Sequence, residues 1–236
     1  DFAAMGPSQL DGTKKNMLTQ VSASNVYRLN ASGTKEHLVS ASYNVWSNGG
    51  SVLDGSGNAI VQNSAATNGD VWRQTSGYVW MPSSVAANGM TAVASFVAFP
   101  GSNPAGANAA WKRNSDVVLM DTYSHVLSTR DFKNNYVSTR YGYNNAKPVL
   151  SGTFAKYGEI AFSGAEDENI SNAKKFEVGK GTGTVSAAAF HTGSKSIQLA
   201  AGQTGFDYSV AVSELTAART YTASVWVNNQ AAHNVK

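Results

Sequence analysis

Aromatic side chains between short polar turns are the residues of this chain whose type and spacing could do chemistry. Four tyrosines recur in one stretch: Tyr123, Tyr136, Tyr141 and Tyr143. Phenolic rings can line a groove that binds a sugar or a peptide. They can also stack between adjacent β units, with their hydroxyls satisfied at the edge. Repeat proteins bury aromatic residues to build a continuous core, so we expect packing and keep a ligand role for Tyr123 and Tyr143 open.

Tryptophans form a second candidate set, at Trp46, Trp72, Trp80 and Trp111. Exposed planar rings hold the faces of pyranose sugars, so Trp46, Trp72 and Trp80 are candidate ligand-binding residues. Each ring also lies within a predicted alternating strand, and this pattern favours core packing. Trp226 lies in the strongest predicted strand of the C-terminal region, and we expect it in the core.

Acidic residues and histidines give little indication of a metal site. Glu166, Asp167 and Glu168 could offer oxygen ligands to a hard cation, but adjacent loop residues rarely converge on one ion. We therefore predict a solvated linker there. The four histidines are widely separated and show no metal-binding spacing. The chain has no cysteine, which excludes disulfides and thiol catalysis.

No motif in the sequence indicates an enzyme. A G-x-S-x-G nucleophile elbow does not occur, and the glycine-rich run 179–183 lacks the Walker spacing. A glycosidase needs two carboxylates that face each other across a cleft, and fifteen acidic residues permit such a pair without indicating one. We predict a non-catalytic protein with no catalytic residue and no cofactor other than a structural calcium ion.

Composition favours an exported β protein. Hydrophobic residues make up 42% of the chain and charged residues only 14%, so Ser, Thr, Asn and Gly must supply the polar surface. The net charge of +3 is scattered rather than gathered in a basic stripe, which argues against nucleic-acid binding. No apolar run reaches the roughly 20 residues that span a bilayer. We expect a secreted or cell-surface location.

The elements that would position these residues are predicted to be strands. Val39, Ala41, Tyr43 and Val45 alternate with polar residues, which predicts a half-buried strand. Only 152–162 favours a short helix. Strands at roughly ten-residue spacing with turns between them predict an all-β fold of the sandwich or jelly-roll kind. Further strands are predicted over 91–99, 194–199, 206–210 and 220–227.

The composition of the sequence changes after the acidic stretch that begins at Glu166, and the run 179–184 is rich in Gly and Thr. We therefore predict a β-rich region over residues 1–165 and a partial β-sandwich over 170–236. The chain opens without methionine and stops directly after a predicted strand. We expect it to be one portion of a longer polypeptide.

The first region resembles the YD-repeat (RHS-like) proteins, in which Tyr-Asp dipeptides end the strands of a β spiral. Tyr143-Asn144 stands where Tyr-Asp is expected, and Asp131 followed by Asn134 and Asn135 resembles a D-x-x-G-N turn. Asn would then take the left-handed conformation of the glycine. The run from Asp121 to residue 167 is similar to segments of very large secreted RHS-like proteins of Bacteroidota. That resemblance implies a surface scaffold, often exported by the type IX route.

The second region resembles β-sandwich carbohydrate-binding modules. The resemblance lies in Phe176-Glu177, in the run 191–199 and in the run 219–227. It implies a jelly-roll fold, a glycan ligand and a structural calcium ion near Glu177. The stretch is shorter than a complete module, so glycan binding is left open.

We therefore expect a non-catalytic structural and adhesive portion of a large exported cell-surface RHS-like protein, seen as cargo of a type IX-like secretion machinery. Its partners would be other parts of the same polypeptide and outer-membrane secretion or surface proteins. Two alternatives remain: a glycan-binding module of a secreted protein, and a glycosidase.

Overall fold

A computed structural model describes residues 20–47, 50–54, 57–61, 72–101, 104–166 and 176–228. These residues contain twelve strands, short 3-10 turns and no α-helix, so the predicted all-β class is confirmed. The strands are β1 (Ala23–Leu29), β2 (Lys35–Ser47), β3 (Ser51–Leu53), β4 (Ala59–Val61), β5 (Arg73–Trp80), β6 (Thr91–Ala92), β7 (Trp111–Asp121), β8 (Val126–Asp131), β9 (Tyr136–Gly142), β10 (Lys147–Thr153), β11 (Thr184–Ser186) and β12 (Ser196–Gln198).

The chain divides into two compact units. The first unit comprises Asp1–Val52, Ile60–Ser124 and Thr129–Asn134. The second comprises Leu53–Ala59, His125–Ser128 and Asn135–Lys236, so the division falls within β8. The predicted boundary at residues 165–170 falls partly outside the described residues and stays a prediction.

The first unit is built on antiparallel pairing of β1 with β2, β2 with β5, and β5 with β7. Cross-strand partners such as Tyr43 and Tyr78, or Trp80 and Trp111, place large rings beside each other. Such pairs are the main stabilising contacts on the face of a sheet. The short strand β6 pairs with His37 and Leu38 and extends the sheet near the start of β2.

A bulge shifts the alternation predicted for β2. Val26 pairs with Ser40 and Tyr27 with Leu38, so Val39 has no residue opposite. An extra residue of this kind breaks the alternation, so that residues before it and after it no longer follow one period of two. Leu38 is consequently buried and Val39 is exposed, whereas the alternation predicts the reverse.

Aromatic rings fill the core of the first unit. Tyr43 stacks on Phe99 with ring centroids 4.2 Å apart, and Trp111 meets Phe99 edge-on at 5.3 Å. Phe99 lies in a run predicted as a strand, but only Thr91–Ala92 is one, followed by a 3-10 turn over Val93–Ser95. That turn lets the chain leave the sheet edge and lay Phe99 on the core. The buried members of this core are Leu38, Ala41, Tyr43, Val45, Phe99 and Trp111.

The second unit has little regular structure among its described residues. It holds the β9–β10 hairpin and a two-stranded β11–β12 sheet. The predicted helix over 152–162 is wrong: only a 3-10 turn forms, at Tyr157–Glu159. Gly158 within it weakens helix propensity, and the turn ends at Ile160, whose backbone is extended with φ −125° and ψ 140°.

Two predicted strands near the end of the chain do not form. The stretch 206–210 makes only the isolated bridge between Gly179 and Asp207, and Thr220–Val227 belongs to no sheet. High β propensity needs a neighbouring strand to pair with before a ladder forms. Trp226 is accordingly 78% exposed rather than in the core. The strand predicted over 194–199 is confirmed as β12 (Ser196–Gln198).

Candidate functional site

Two hairpin turns of the first unit share one hydrogen-bonding pattern. The Asp121 side chain accepts a bond of 2.9 Å from the Tyr123 backbone N–H. The Asp131 side chain accepts one of 2.7 Å from the Lys133 backbone N–H. A short acidic side chain that bonds the backbone two residues on closes a tight turn. The same turn therefore occurs twice, at aspartates ten positions apart.

The fourth residue of both turns has left-handed backbone geometry. Ser124 has a φ of 74° and Asn134 a φ of 63°, and each donates its N–H to the carbonyl of the turn's aspartate. The left-handed conformation predicted for Asn134 is confirmed. Ser124 is in the same place, and its hydroxyl accepts a bond of 2.8 Å from Arg73 Nε.

The turns carry exposed aromatic rings. Tyr123 is 67% exposed and Phe132 is 63% exposed, each inside one of the two turns. In the second unit, Tyr143 is 47% exposed, begins a run of left-handed residues and has Lys147 Nζ 5.4 Å from its ring. The packing predicted for Tyr123 and Tyr143 is therefore wrong, because residues at the tip of a tight turn cannot reach a sheet face.

The other two tyrosines of this stretch are half-buried. Tyr141 stacks on His125 with centroids 4.5 Å apart and planes 14° from parallel. Tyr136 begins β9 and accepts a backbone bond from Ala155 at its carbonyl. The two tyrosines in strands are thus half-buried and the two in turns are exposed, which separates the four into two groups.

Two tryptophans of the first unit, Trp80 and Trp111, bond inward through their indole N–H groups. Trp80 donates to Thr91 Oγ1 at 3.1 Å and Trp111 donates to the Val97 carbonyl at 2.8 Å. Trp46 and Trp72 are half-buried. A buried indole needs such a partner, and for Trp80 and Trp111 interior packing accounts for the ring.

A buried arginine organises the second unit. Arg140 is only 6% exposed and donates to the carbonyls of Tyr157 at 2.8 Å, of Ile160 at 2.7 Å and of Phe176. Its guanidinium carbon lies 3.8 Å from the centre of the Tyr157 ring. Five donors in one plane suit a cage of carbonyl oxygens. Arg140 thereby satisfies backbone groups that no sheet pairs.

A tyrosine completes the cage around this guanidinium. The Tyr208 hydroxyl accepts from Arg140 Nη2 at 2.9 Å and donates to the Gly158 carbonyl at 2.9 Å. Burial raises the pKa of Tyr208, against the opposing effect of Arg140. The phenol therefore keeps the proton that it donates.

A buried carboxylate holds the other side of the same turn. The Glu159 side chain is 2% exposed and accepts from the Thr216 N–H at 2.6 Å, the Tyr221 hydroxyl at 2.7 Å and the Lys156 N–H at 2.7 Å. Burial raises the pKa of Glu159, but these hydrogen bonds outweigh it and lower the pKa to about 2. Such a carboxylate stays ionised and is a poor general acid.

Glu166 anchors a second turn. It accepts from the Ser194 N–H at 2.6 Å, the Ser194 hydroxyl at 2.8 Å and the Lys195 N–H at 2.8 Å. The bond from the Ser194 backbone is the main cause that lowers the pKa of Glu166. Glu166 is thus tied to the turn at Ser194, while Asp167 and Glu168 lie outside the described residues, so the solvated linker stays a prediction.

The structure does not test the calcium ion predicted near Glu177. Glu177 is exposed, and the described ranges hold no group of three or more histidine or acidic side chains that could bind an ion together. The calcium site near Glu177 stays a prediction. Within the same ranges there is also no helix long and apolar enough to cross a membrane.

Sequence reasoning missed Arg140, Glu159 and Tyr208. One signal existed for Arg140: it alternates with Ser138 and Gly142, all three of which are buried on one face of β9. A charged residue between small residues at period two marks a polar interior face. Only the bond from Lys156 is local to Glu159, and its other partners, like those of Tyr208, lie fifty or more residues away.

The chain matches no family model, no curated protein and no solved structure. The resemblances drawn from its sequence therefore stay predictions, and the geometry above carries the functional proposal.

Proposed function

We propose that this chain is a non-catalytic structural and adhesive portion of a large exported RHS-like surface protein. The observation that carries the proposal is the turn that occurs at Asp121 and again at Asp131, with the same aspartate bond and the same left-handed fourth residue. Recurrence of one turn geometry along a chain supports a repeat architecture. The recurring turn lies within the stretch whose resemblance suggested the family.

Surface chemistry supports the adhesive part of the proposal. Tyr123 and Phe132 project from the two turns, and charged residues make up only 14% of the chain. Exposed aromatic rings at turns offer contact area with little conformational freedom to lose. The buried carboxylate Glu159 is occupied by three donors, which favours a structural role for it.

Export to the surface, a Bacteroidota source and the type IX route rest on the resemblance alone. Under this proposal the chain contacts other parts of its own polypeptide, and outer-membrane secretion or surface proteins during export. Its location would be secreted or cell-surface.

Protease shaving of intact cells tests this location. We expect added protease to release peptides of this chain while a periplasmic marker protein stays intact. Deletion of the secretion apparatus should leave the peptides inside the cell envelope. Peptides that resist protease in intact cells but not in lysed ones would contradict the proposal.

Glycan binding is the second candidate, and the exposure of Tyr123 and Tyr143 favours it. Exposed phenol rings can stack on sugar faces, with an expected Kd between about 1 µM and 1 mM. A glycan array should then show a ligand that Tyr123→Ala or Tyr143→Ala abolishes and the matched Tyr→Phe variants retain. An array without any bound glycan excludes this candidate.

A further inference from the structure

One segment of the second unit has strand chemistry but no strand partner. Thr220–Val227 carries no charged residue and is rich in β-branched and aromatic types, which favour strands. It runs without a turn or bend and is exposed throughout 221–227. Among the described residues, none donates or accepts a backbone ladder bond with 222–227.

Two contacts hold this segment in place. The Tyr221 hydroxyl donates to Glu159 at 2.7 Å near its start. Near its end, Trp226 stacks on His191 with ring centroids 4.0 Å apart and planes 9° from parallel. The stacked histidine belongs to the turn that Glu166 anchors through Ser194. The backbone between the two contacts is thus positioned, and within the described part of the chain its hydrogen-bonding groups have no ladder partner.

The surroundings of the segment are also short of strands. The separate small sheet of the same unit has two strands among the described residues, β11 and β12, and an isolated pair of strands is at best marginally stable in water. Large apolar side chains of the same unit are exposed, among them Val212 at 83% and Trp226 at 78%. Unpaired backbone and exposed apolar area together indicate an acceptor for a β-strand.

We propose that Thr220–Val227 pairs with a further β-strand of the same long polypeptide, and that this strand covers Trp226. The proposal rests on the proposed function, which makes this chain part of a larger exported protein. Because the segment carries no charge, the fitting strand is uncharged, with β-branched or aromatic residues opposite Val225 and Tyr221. Linkage in one chain supplies the strand at an effective concentration of roughly millimolar, which a second molecule lacks.

Amide hydrogen exchange tests the pairing. Exchange at 222–227 is recorded in the 236-residue chain and in the full-length gene product, with β5 as the internal reference. We expect near-unprotected exchange in the shorter chain and exchange slowed about 100-fold or more in the full-length product. A Val225→Pro variant of the full-length product should lose this protection, because proline removes a ladder donor, while Val225→Thr should retain it.

Two results overturn the proposal. Unprotected exchange at 222–227 in the full-length product, or a gene product that consists of these residues alone, shows that no further strand pairs there. Protection that appears in the shorter chain on raising its concentration assigns the segment to a second copy instead. Cell-surface location is measured separately, so a protected segment in a protein that never leaves the cell refutes the proposed function and not the pairing.

Discussion

The two units pair their backbone N–H and C=O groups in different ways. In the first unit, long strands pair with each other and aromatic rings such as Trp111 fill the space on one face. In the second unit, Arg140, Glu159 and Glu166 bond to backbone groups that lie outside any sheet. Buried backbone groups must be paired in either case.

The difference shows where sensitivity to mutation should lie. A ladder spreads its hydrogen bonds over many residues, so loss of one side chain leaves the bonds in place. A charged side chain that bonds several backbone groups makes all of those hydrogen bonds depend on one residue. Its removal leaves each of those backbone groups without a partner. The first unit should therefore be destabilised most when a large core side chain is shortened. The second unit should be destabilised most when a buried charged side chain is removed.

Trp111→Ala is expected to have the largest effect on the first unit. Removal of this buried ring should lower the free energy of unfolding by about 3–5 kcal/mol. The matched substitution Trp226→Ala, at a 78% exposed ring, should cost less than about 1 kcal/mol. Urea denaturation of both variants measures the difference, and equal losses would contradict the assignment of core and surface.

Arg140→Ala should destabilise the second unit by about 3–4 kcal/mol, because the carbonyls of Tyr157, Ile160 and Phe176 lose their donor. Arg113→Ala is the control, since that side chain is 45% exposed and exposed ion pairs contribute less than about 1 kcal/mol. Hydrogen exchange at 157–160 reports the loss locally. Unchanged exchange there in Arg140→Ala would show that the cage is not needed.

Glu159→Gln should cost about 1–3 kcal/mol at neutral pH and flatten the acid side of the stability profile. The pKa of Glu159 is lowered from 4.5 to about 2, so its stabilisation is complete above pH 4.5 and is lost as the pH falls toward 2. Unfolding measured from pH 2 to 7 should show this slope in the parent chain and a weaker one in Glu159→Gln. Parallel profiles would argue against an ionised Glu159.

Gly193→Ala and Gly202→Ala separate steric contact from backbone strain. Both glycines have positive φ, 83° and 79°, so both variants incur roughly 1–2 kcal/mol of strain. Only at position 193 would the added carbon strike Glu166, whereas position 202 has open space. We expect the smallest effect of the series here: thermal unfolding should show Gly193→Ala to lose about 1 kcal/mol more unfolding free energy than Gly202→Ala. An equal loss would show that the Glu166 anchor is dispensable.

Alternation and turn chemistry predicted the parts of the fold that depend on local sequence. The β2 strand, β12 and the left-handed Asn134 follow from period two and from the residues that tolerate positive φ. The bulge at Val39 did not follow, because it depends on how β1 lies against β2. Tertiary contacts decide such shifts, and one sequence does not display them.

The candidate site was less accessible to prediction than the fold. Exposure of Tyr123 and Trp226 depends on whether a neighbour covers the ring, and residue type alone favours burial for both. Glu159 meets Thr216 and Tyr221 from more than fifty residues away. A pattern within a short window cannot bring such partners together.

Residue-resolved native-state hydrogen exchange of the 236-residue chain tests the contrast between the two units most directly. We predict that amides of β2, β5 and β7 exchange only through global opening of the first unit, and that those of 222–227 exchange at nearly unprotected rates. Protection at 222–227 equal to that of β5 would contradict the contrast, since it would place a ladder at a segment that pairs with no strand among the described residues.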